Sequence, residues 1–293
     1  MDFTEFANEI KEGIPDYMLK YNVKSVRLDN VIKNNGVELL GLVICLENEN
    51  VSPNIYLNYY YELYRQGKSI IEILEMIRDE YEVSYKSLHS GMIGNFDKDN
   101  IRDRIFLRLV NCAKNEMILD EIPYIHFHDL IITFRYLVKQ DDDGIASAIL
   151  RNGELAELNM NIDELFEIAK KNTERLFPME LMLMSSMIPF DENEDLRFPR
   201  MYVLTNSRRI NGATYMIYNE VLEKFADSIN ESFYIIPSSI HELLLLPSSD
   251  MFNIDNMKQT VRDVNECAVS EMDYLSDNVY YYDRKSKIIN ICV

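Results

Sequence analysis

Hydrophobic positions in this chain follow a period near 3.6 in some stretches and near 2 in others, with turn residues between them. At the start, Phe3, Phe6, Ala7 and Ile10 fall on one helical face, and Asp2 and Glu5 have capping-box spacing. A helix is therefore expected to open the chain and to end at Pro15. Residues 23–32 (VKSVRLDNVI) and 37–46 (VELLGLVICL) read as strands around Asn34-Asn35-Gly36, because Asn-Gly supplies the positive φ angles of a tight hairpin. After Pro53 the stretch IYLNYYYELYRQG reads as helical. A clearer helix follows, with Ser69 and Glu72 as its capping box and Ile70, Ile73, Leu74, Ile77 and Tyr81 as its apolar stripe.

Further along, IFLRLV (105–110), DLIITFRYLV (129–138) and GIASAIL (144–150) read as strands, the last two joined by Gln140-Asp141-Asp142-Asp143. Asn161 and Glu164 cap a helix with Ile162, Leu165, Phe166, Ala169 and Leu176 on one face, and Phe177-Pro178 stops it. The acidic, proline-bracketed stretch 189–199 (PFDENEDLRFP) marks a candidate linker at 190–199. It divides the chain into α+β domains over 1–189 and 200–293, with one continuous domain as the alternative. Beyond it, MYVLT (201–205) and ATYMIY (213–218) are expected strands around Asn211-Gly212, and a helix carries Val221, Leu222, Phe225, Ala226 and Ile229. FYIIP (233–237) and IHELLLL (240–246) flank Ser238-Ser239. A helix over 254–268 uses Met257, Val261, Val264 and Ala268, and VYYYD and KIINICV close the chain around Arg284-Lys285-Ser286. Antiparallel strand pairs with interspersed packing helices make the fold class α+β. The helix faces at Ile70, Leu74, Ile77, Leu165, Phe166, Ala169, Val221, Leu222, Phe225, Val261 and Val264 are expected in the core.

Composition fits a folded protein of 293 residues, with 47% hydrophobic and 27% charged positions, and tyrosine is prominent at 19. The four cysteines, Cys45, Cys112, Cys267 and Cys292, have no short spacing between them. That pattern matches neither a disulfide framework nor a zinc motif and points to a reducing, cytoplasmic setting. The acidic N-terminus is unlike a signal peptide, and no window has the run of apolar residues that a membrane span needs. Net charge is −19, of which −12 lies before Phe190 and −7 from it onward. Acidity spread in this way disfavours nucleic acid and anionic membranes, since binding a polyanion rests on clustered Lys and Arg releasing its counterions.

Four groups of residues could carry chemistry. His126 and His128 alternate as same-face residues of a strand would, and imidazoles ligate metals, but no third ligand accompanies them, so a structural role is expected and no metal. Asp141-Asp142-Asp143-Gly144 lacks the alternating carboxylates of a calcium loop and reads as a solvated turn. Ser238, Ser239 and His241 stand close together with no nucleophile elbow around them. Arg208 and Arg209, in TNSRRING, could grip a carboxylate or phosphate through their forked donors. No dinucleotide or P-loop fingerprint occurs, and no cofactor is expected.

The segments KNNGVEL (33–39), PNIYLNYYYELYRQGKSIIEIL (53–74), KNTERLFP (171–178), MYVLTNSRRINGA (201–213), PSSIHELLLLP (237–247) and LSDNVYYYDR (275–284) resemble a family of uncharacterised bacterial proteins from Gram-positive gut anaerobes, a domain of unknown function. The resemblance runs over nearly the whole chain. More distantly, 123–177 and 204–249 resemble the layout of another uncharacterised, bacillus-type family, in which a strand pair leads to a helix with a stretch like Ala169 to Asn172. Neither implies an activity, cofactor or catalytic residue. The sequence is thus expected to encode a cytosolic binding or protein-interaction module. An enzyme with a dispersed site and an acidic, nucleic-acid-mimicking inhibitor of a basic protein are the alternatives.

Overall fold

The Asn-Gly hairpin is the centre of the first of two compact units, Met1–Gly94 with Val138–Ala146. The computed structural model describes residues 1–47, 49, 52–89, 98–141, 144–186, 200–249 and 253–292. Helix α1 (Phe3–Tyr17) carries the expected box: Asp2 accepts from the Glu5 N–H and Glu5 accepts from the Asp2 N–H. Contrary to expectation, Pro15 does not end it. Its fixed φ suits a helix, and burial of Ile14 and Met18 on either side holds the last turn in place. Strands β1 (Val23–Ile32) and β2 (Glu38–Leu46) pair antiparallel from Val23↔Leu46 to Ile32↔Glu38, with Asn35 (φ 60) and Gly36 (φ 71) in the turn.

The IYLNYYY stretch begins as strand, not helix. β3 (Asn54–Tyr56) pairs with β2 through Gly41↔Tyr56 and Val43↔Asn54, and helix α2 (Leu57–Arg65) starts only afterwards. Tertiary pairing here overrides local helix preference. Helix α3 (Ile70–His89) is capped by Ser69 and Glu72, and Ile73, Leu74, Ile77 and Tyr81 point into the core, with Ile70 half-buried at its edge. The three helices cover one face of the sheet, where Leu42, Ile44 and Ile55 meet Phe6, Ile10 and Ile77. The opposite face, with Ser25, Arg27 and Asp29, is wet, and no residue of β1 is buried.

The second unit comprises Asn95–Leu137 and Ser147–Val293. After α4 (Lys98–Ile101) come β4 (Ile105–Asn111), β5 (Tyr124–Phe127), β6 (Leu130–Asp141) and β7 (Gly144–Ile149), with β6 paired to all three others; the end of β6 from Val138 and the start of β7 to Ala146 count with the first unit. Helices α5 (Asn152–Leu158) and α6 (Ile162–Leu176) lead to β8 (Met179–Leu183) and β9 (Tyr202–Asn206). Then follow α7 (Asn219–Ile229), β10 (Phe233–Ser239), β11 (Glu242–Pro247), α8 (Ile254–Ala268), β12 (Tyr280–Asp283) and β13 (Ile288–Ile291). They build an antiparallel sheet of order β13-β12-β10-β11-β9-β8, so the fold is α+β. β8 pairs with β9 from Met179↔Asn206 to Leu183↔Tyr202. The candidate linker Phe190–Pro199 itself lies outside the described residues.

ATYMIY is not a strand. Gly212–Ile217 form a 3-10 helix in which Ala213, Thr214, Tyr215 and Met216 are all buried, a run without the alternation of a half-wet strand. Asn211 opens it in the left-handed region (φ 56), and a Cβ on Gly212 would lie 2.4 Å from the His241 carbonyl oxygen. The turn serves β4, whose free edge is sealed by side chains: Leu107 N–H donates to Thr173 Oγ1 (2.9 Å), Leu109 N–H to Thr214 Oγ1 (3.3 Å), and Asn172 Nδ2 donates to the Ile105 carbonyl (2.9 Å). Covering an edge in this way blocks further strand addition. Leu165, Ala169, Leu222, Phe225 and Val261 are buried as expected. Phe166 and Val221 are half-buried, and Val264 is 46% exposed.

Candidate anion-binding site

Strand β4 is buried throughout except at one residue, Arg108, and β6 has a similar break at Arg135. The antiparallel register pairs Phe106 with Arg135 and Arg108 with Thr133. Directly opposed residues share a face, so the two arginines are diagonal neighbours on the same side of the sheet, within reach of each other's long side chains. β5 extends that face through Tyr124, opposite Thr133, and His126, opposite Ile131.

The two guanidiniums are satisfied unequally. Arg135 donates from Nε to Ser147 Oγ (3.0 Å) and from Nη2 to the Ser147 carbonyl (2.7 Å), both neutral acceptors. The Arg108 side chain has no hydrogen bond and no ion pair among the described residues, and its Nε is enclosed without an acceptor. Its terminal nitrogens are not enclosed, and the residue keeps part of its surface accessible. The side chain thus stands in a recess that is deep at Nε and open at the tip. Burial pushes Arg108 from the usual arginine range down to about 9, helped by the like charge of Arg135 and opposed by the charge of Asp273. Burial likewise lowers Arg135 to about 10. A buried guanidinium without a counter-charge is expensive, and an oxyanion bound bidentately by the open nitrogens would offset that cost.

Asp273, the nearby carboxylate, is engaged elsewhere. Its Oδ1 meets His241 Nε2 at 3.1 Å and its Oδ2 accepts from Ser270 Oγ at 2.7 Å. The Asn211 N–H donates to His241 Nδ1 (3.1 Å), which makes Nδ1 the unprotonated nitrogen and puts the ring proton on Nε2, facing Asp273. With Nδ1 occupied, His241 cannot serve as a base for a neighbouring serine. Ser239 Oγ accepts from the His241 backbone N–H (3.0 Å), and Ser238 Oγ donates to Glu242 (3.2 Å). The Ser-Ser-His group is therefore a pinned turn that fixes the loop around Asn211 and Gly212.

The histidine pair does not converge. His126 is exposed on β5, with Nδ1 4.0 Å from Cys112 Sγ, whereas His128 sits in the β5–β6 turn at φ 56, off the strand that would align the two. Among the described residues no three His, Cys, Asp or Glu side chains form a metal-binding group. Asp142 and Asp143 lie outside the described residues. Arg208 and Arg209 are exposed, in the turn after β9, with Arg209 at φ 53. They are not brought to the Arg108 face by any contact among the described residues. Sequence inspection passed over Arg108 and Arg135, although each interrupts an otherwise apolar strand, IFLRLV and IITFRYLV. A charge at a core position is the signal that could have found them.

No helix among the described residues is long and apolar enough to cross a membrane. Over residues 3–284 the chain matches a family described as a family of unknown function (DUF5688), and it belongs to that family. No curated protein and no solved structure matches it.

Proposed function

For this member of the family, we propose a binding protein whose second unit takes a small anionic ligand, a carboxylate or phosphate group seated between Arg108 and Arg135. The observation that supports it is the unpaired Arg108 guanidinium, recessed at Nε and open at its terminal nitrogens. A small anion suits the charge balance better than a polyanion. At −19 the protein repels a nucleic acid along its length, while two guanidiniums in a poorly hydrated recess dominate at hydrogen-bond range. Binding is favoured over proton-transfer chemistry because the one histidine among the described residues joined to a carboxylate, His241, has its acceptor nitrogen filled by the Asn211 N–H. The ligand is thus a metabolite-sized oxyanion, bound where a protein-interaction module would otherwise need a surface patch.

The test is thermal unfolding of the whole chain in inorganic phosphate, and separately in succinate, against chloride at matched ionic strength. Ligands that bind only the folded state raise Tm saturably. The wild-type Tm should climb with at least one of the two oxyanions, and Arg108→Met should abolish the climb while keeping the fold. No saturable rise with either, or the same rise in Arg108→Met, would overturn the proposal.

A further inference from the structure

The far side of the six-stranded sheet carries a second feature that the anion site does not use. The stripe Met257, Val261 and Val264 on α8 should pack evenly on the sheet, since residues four and three apart share a helical face. It does not: Met257 and Val261 are buried at 7% and 5% exposure while Val264 remains 46% exposed. Below the helix, Ile236 and Leu244 are cross-strand partners, as are Tyr234 and Leu246, and all but Leu246 stay half-buried. Helix and sheet therefore meet at one end and stand apart at the other, leaving a cleft of about 380 Å³. That volume falls within the range of small-molecule sites.

The chemistry of the walls decides what fits. In a chain that is 27% charged, no Asp, Glu, Lys, Arg or His among the described residues lines this cleft. Its floor is aliphatic, and its rim offers neutral amides and hydroxyls, among them Asn253, Asn256 and Ser238. Asn253 is committed to capping α8, and Ser238 to Glu242. Among the described residues Asn256 makes hydrogen bonds only through its backbone, which leaves its carboxamide uncommitted there at the rim. A charged ligand would be desolvated here with no counter-charge, whereas an aliphatic chain would gain burial and a neutral head could meet the amide.

We propose that the cleft beneath α8 binds an uncharged amphiphile, an aliphatic chain bearing a hydroxyl or amide head, with the chain on Ile236, Leu244 and Met257 and the head at Asn256. This site is separate from the Arg108 recess, so the two proposals can fail independently.

The experiment titrates the full-length protein with 1-hexanol, 1-octanol and 1-decanol, following displacement of the neutral dye Nile red. Affinity should rise about fourfold per added methylene, the factor that corresponds to ~0.8 kcal/mol of transfer. The alkanoate with the chain length of the best alkanol should bind at least about tenfold more weakly. Val264→Trp, a change at an exposed position, should fill the mouth and remove binding while circular dichroism stays native. Asn256→Ala should weaken alkanols severalfold but leave Nile red binding intact, and Arg108→Met should change neither. Absence of saturable binding, affinity independent of chain length, equal binding of the alkanoate, or full binding by Val264→Trp would each overturn the proposal.

Discussion

Arg27 and Arg108 are both strand arginines, and their circumstances are opposite. Arg27, on the wet face of the first unit's sheet, meets Asp29 at 2.9 Å, with 62% and 41% of the two side chains exposed. Arg108 lies within a strand buried on both faces and makes no ion pair among the described residues. The first sheet has one core face and one solvent face, so its polar residues can be satisfied by water or by a neighbour two residues away. In the second unit, tertiary packing surrounds the strand, encloses Arg108 Nε without an acceptor and leaves the side chain without a partner among the described residues. A deeply set charge that the fold does not pair is the one that points to a ligand.

The glycines extend the contrast and give the largest expected effect. A Cβ at Gly212 would come within 2.8 Å of the Thr205 Cα as well as 2.4 Å from the His241 carbonyl oxygen, and backbone cannot move aside. At Gly41 the clash is with the side chain of Asn54, whose Oδ1 has no hydrogen-bond partner to lose. Gly212→Ala should cost about 3–4 kcal/mol in urea unfolding and Gly41→Ala about half as much or less. Equal costs would remove the distinction between a rigid second unit and a yielding first sheet.

Next in size is Asp129, which ties the β5–β6 turn to the segment before and into β12. It accepts from Tyr280 Oη (2.5 Å), Ser276 Oγ (2.7 Å) and Asn278 Nδ2 (3.0 Å). Both the burial of Tyr280 and the charge of Asp129 push that phenol above its ordinary range. Asp129→Ala orphans three donors and should cost about 2–3 kcal/mol, with Tyr280 then ionising at lower pH by ultraviolet titration. A loss below 1 kcal/mol would show that the turn holds without this knot.

Arg108→Met should act in the reverse direction. In buffer without phosphate or carboxylates it should stabilise the protein by about 1–2 kcal/mol, because it replaces an uncompensated charge with an apolar chain. The sign follows from proton binding: burial lowers the folded arginine to about 9, below its unfolded value, so above that pH the unfolded state holds more protons than the folded one. The penalty is therefore full at pH 7 and is relieved as pH rises through 9, so the advantage of Arg108→Met should shrink above that pH. A destabilised variant at neutral pH would mean that Arg108 is satisfied in solution. The smallest effect belongs to the wet pair: a double-mutant cycle on Arg27 and Asp29 should give a coupling below about 0.5 kcal/mol, lost in 1 M salt.

Much of this molecule was determined by the sequence alone, and the reason is locality. Capping boxes at Asp2, Ser69 and Asn161, the Asn-Gly hairpin and the stripes of α3 and α6 depend on residues a few positions apart, and each formed where the pattern put it. Acidity, and the absence of a long apolar helix among the described residues, were equally open to inspection. The remainder was decided by tertiary structure, because it depends on neighbours distant in the chain. Pairing with β2 made Asn54–Tyr56 a strand, burial on all sides turned ATYMIY into a 3-10 helix, and the pairing of β8 with β9 placed both in one sheet. The candidate site belongs to that second class. Arg108 and Arg208 are the same residue type, and no local pattern states that one will be enclosed and unpaired while the other stays in water. Desolvation is set by everything that packs around a group, and only the folded chain fixes that.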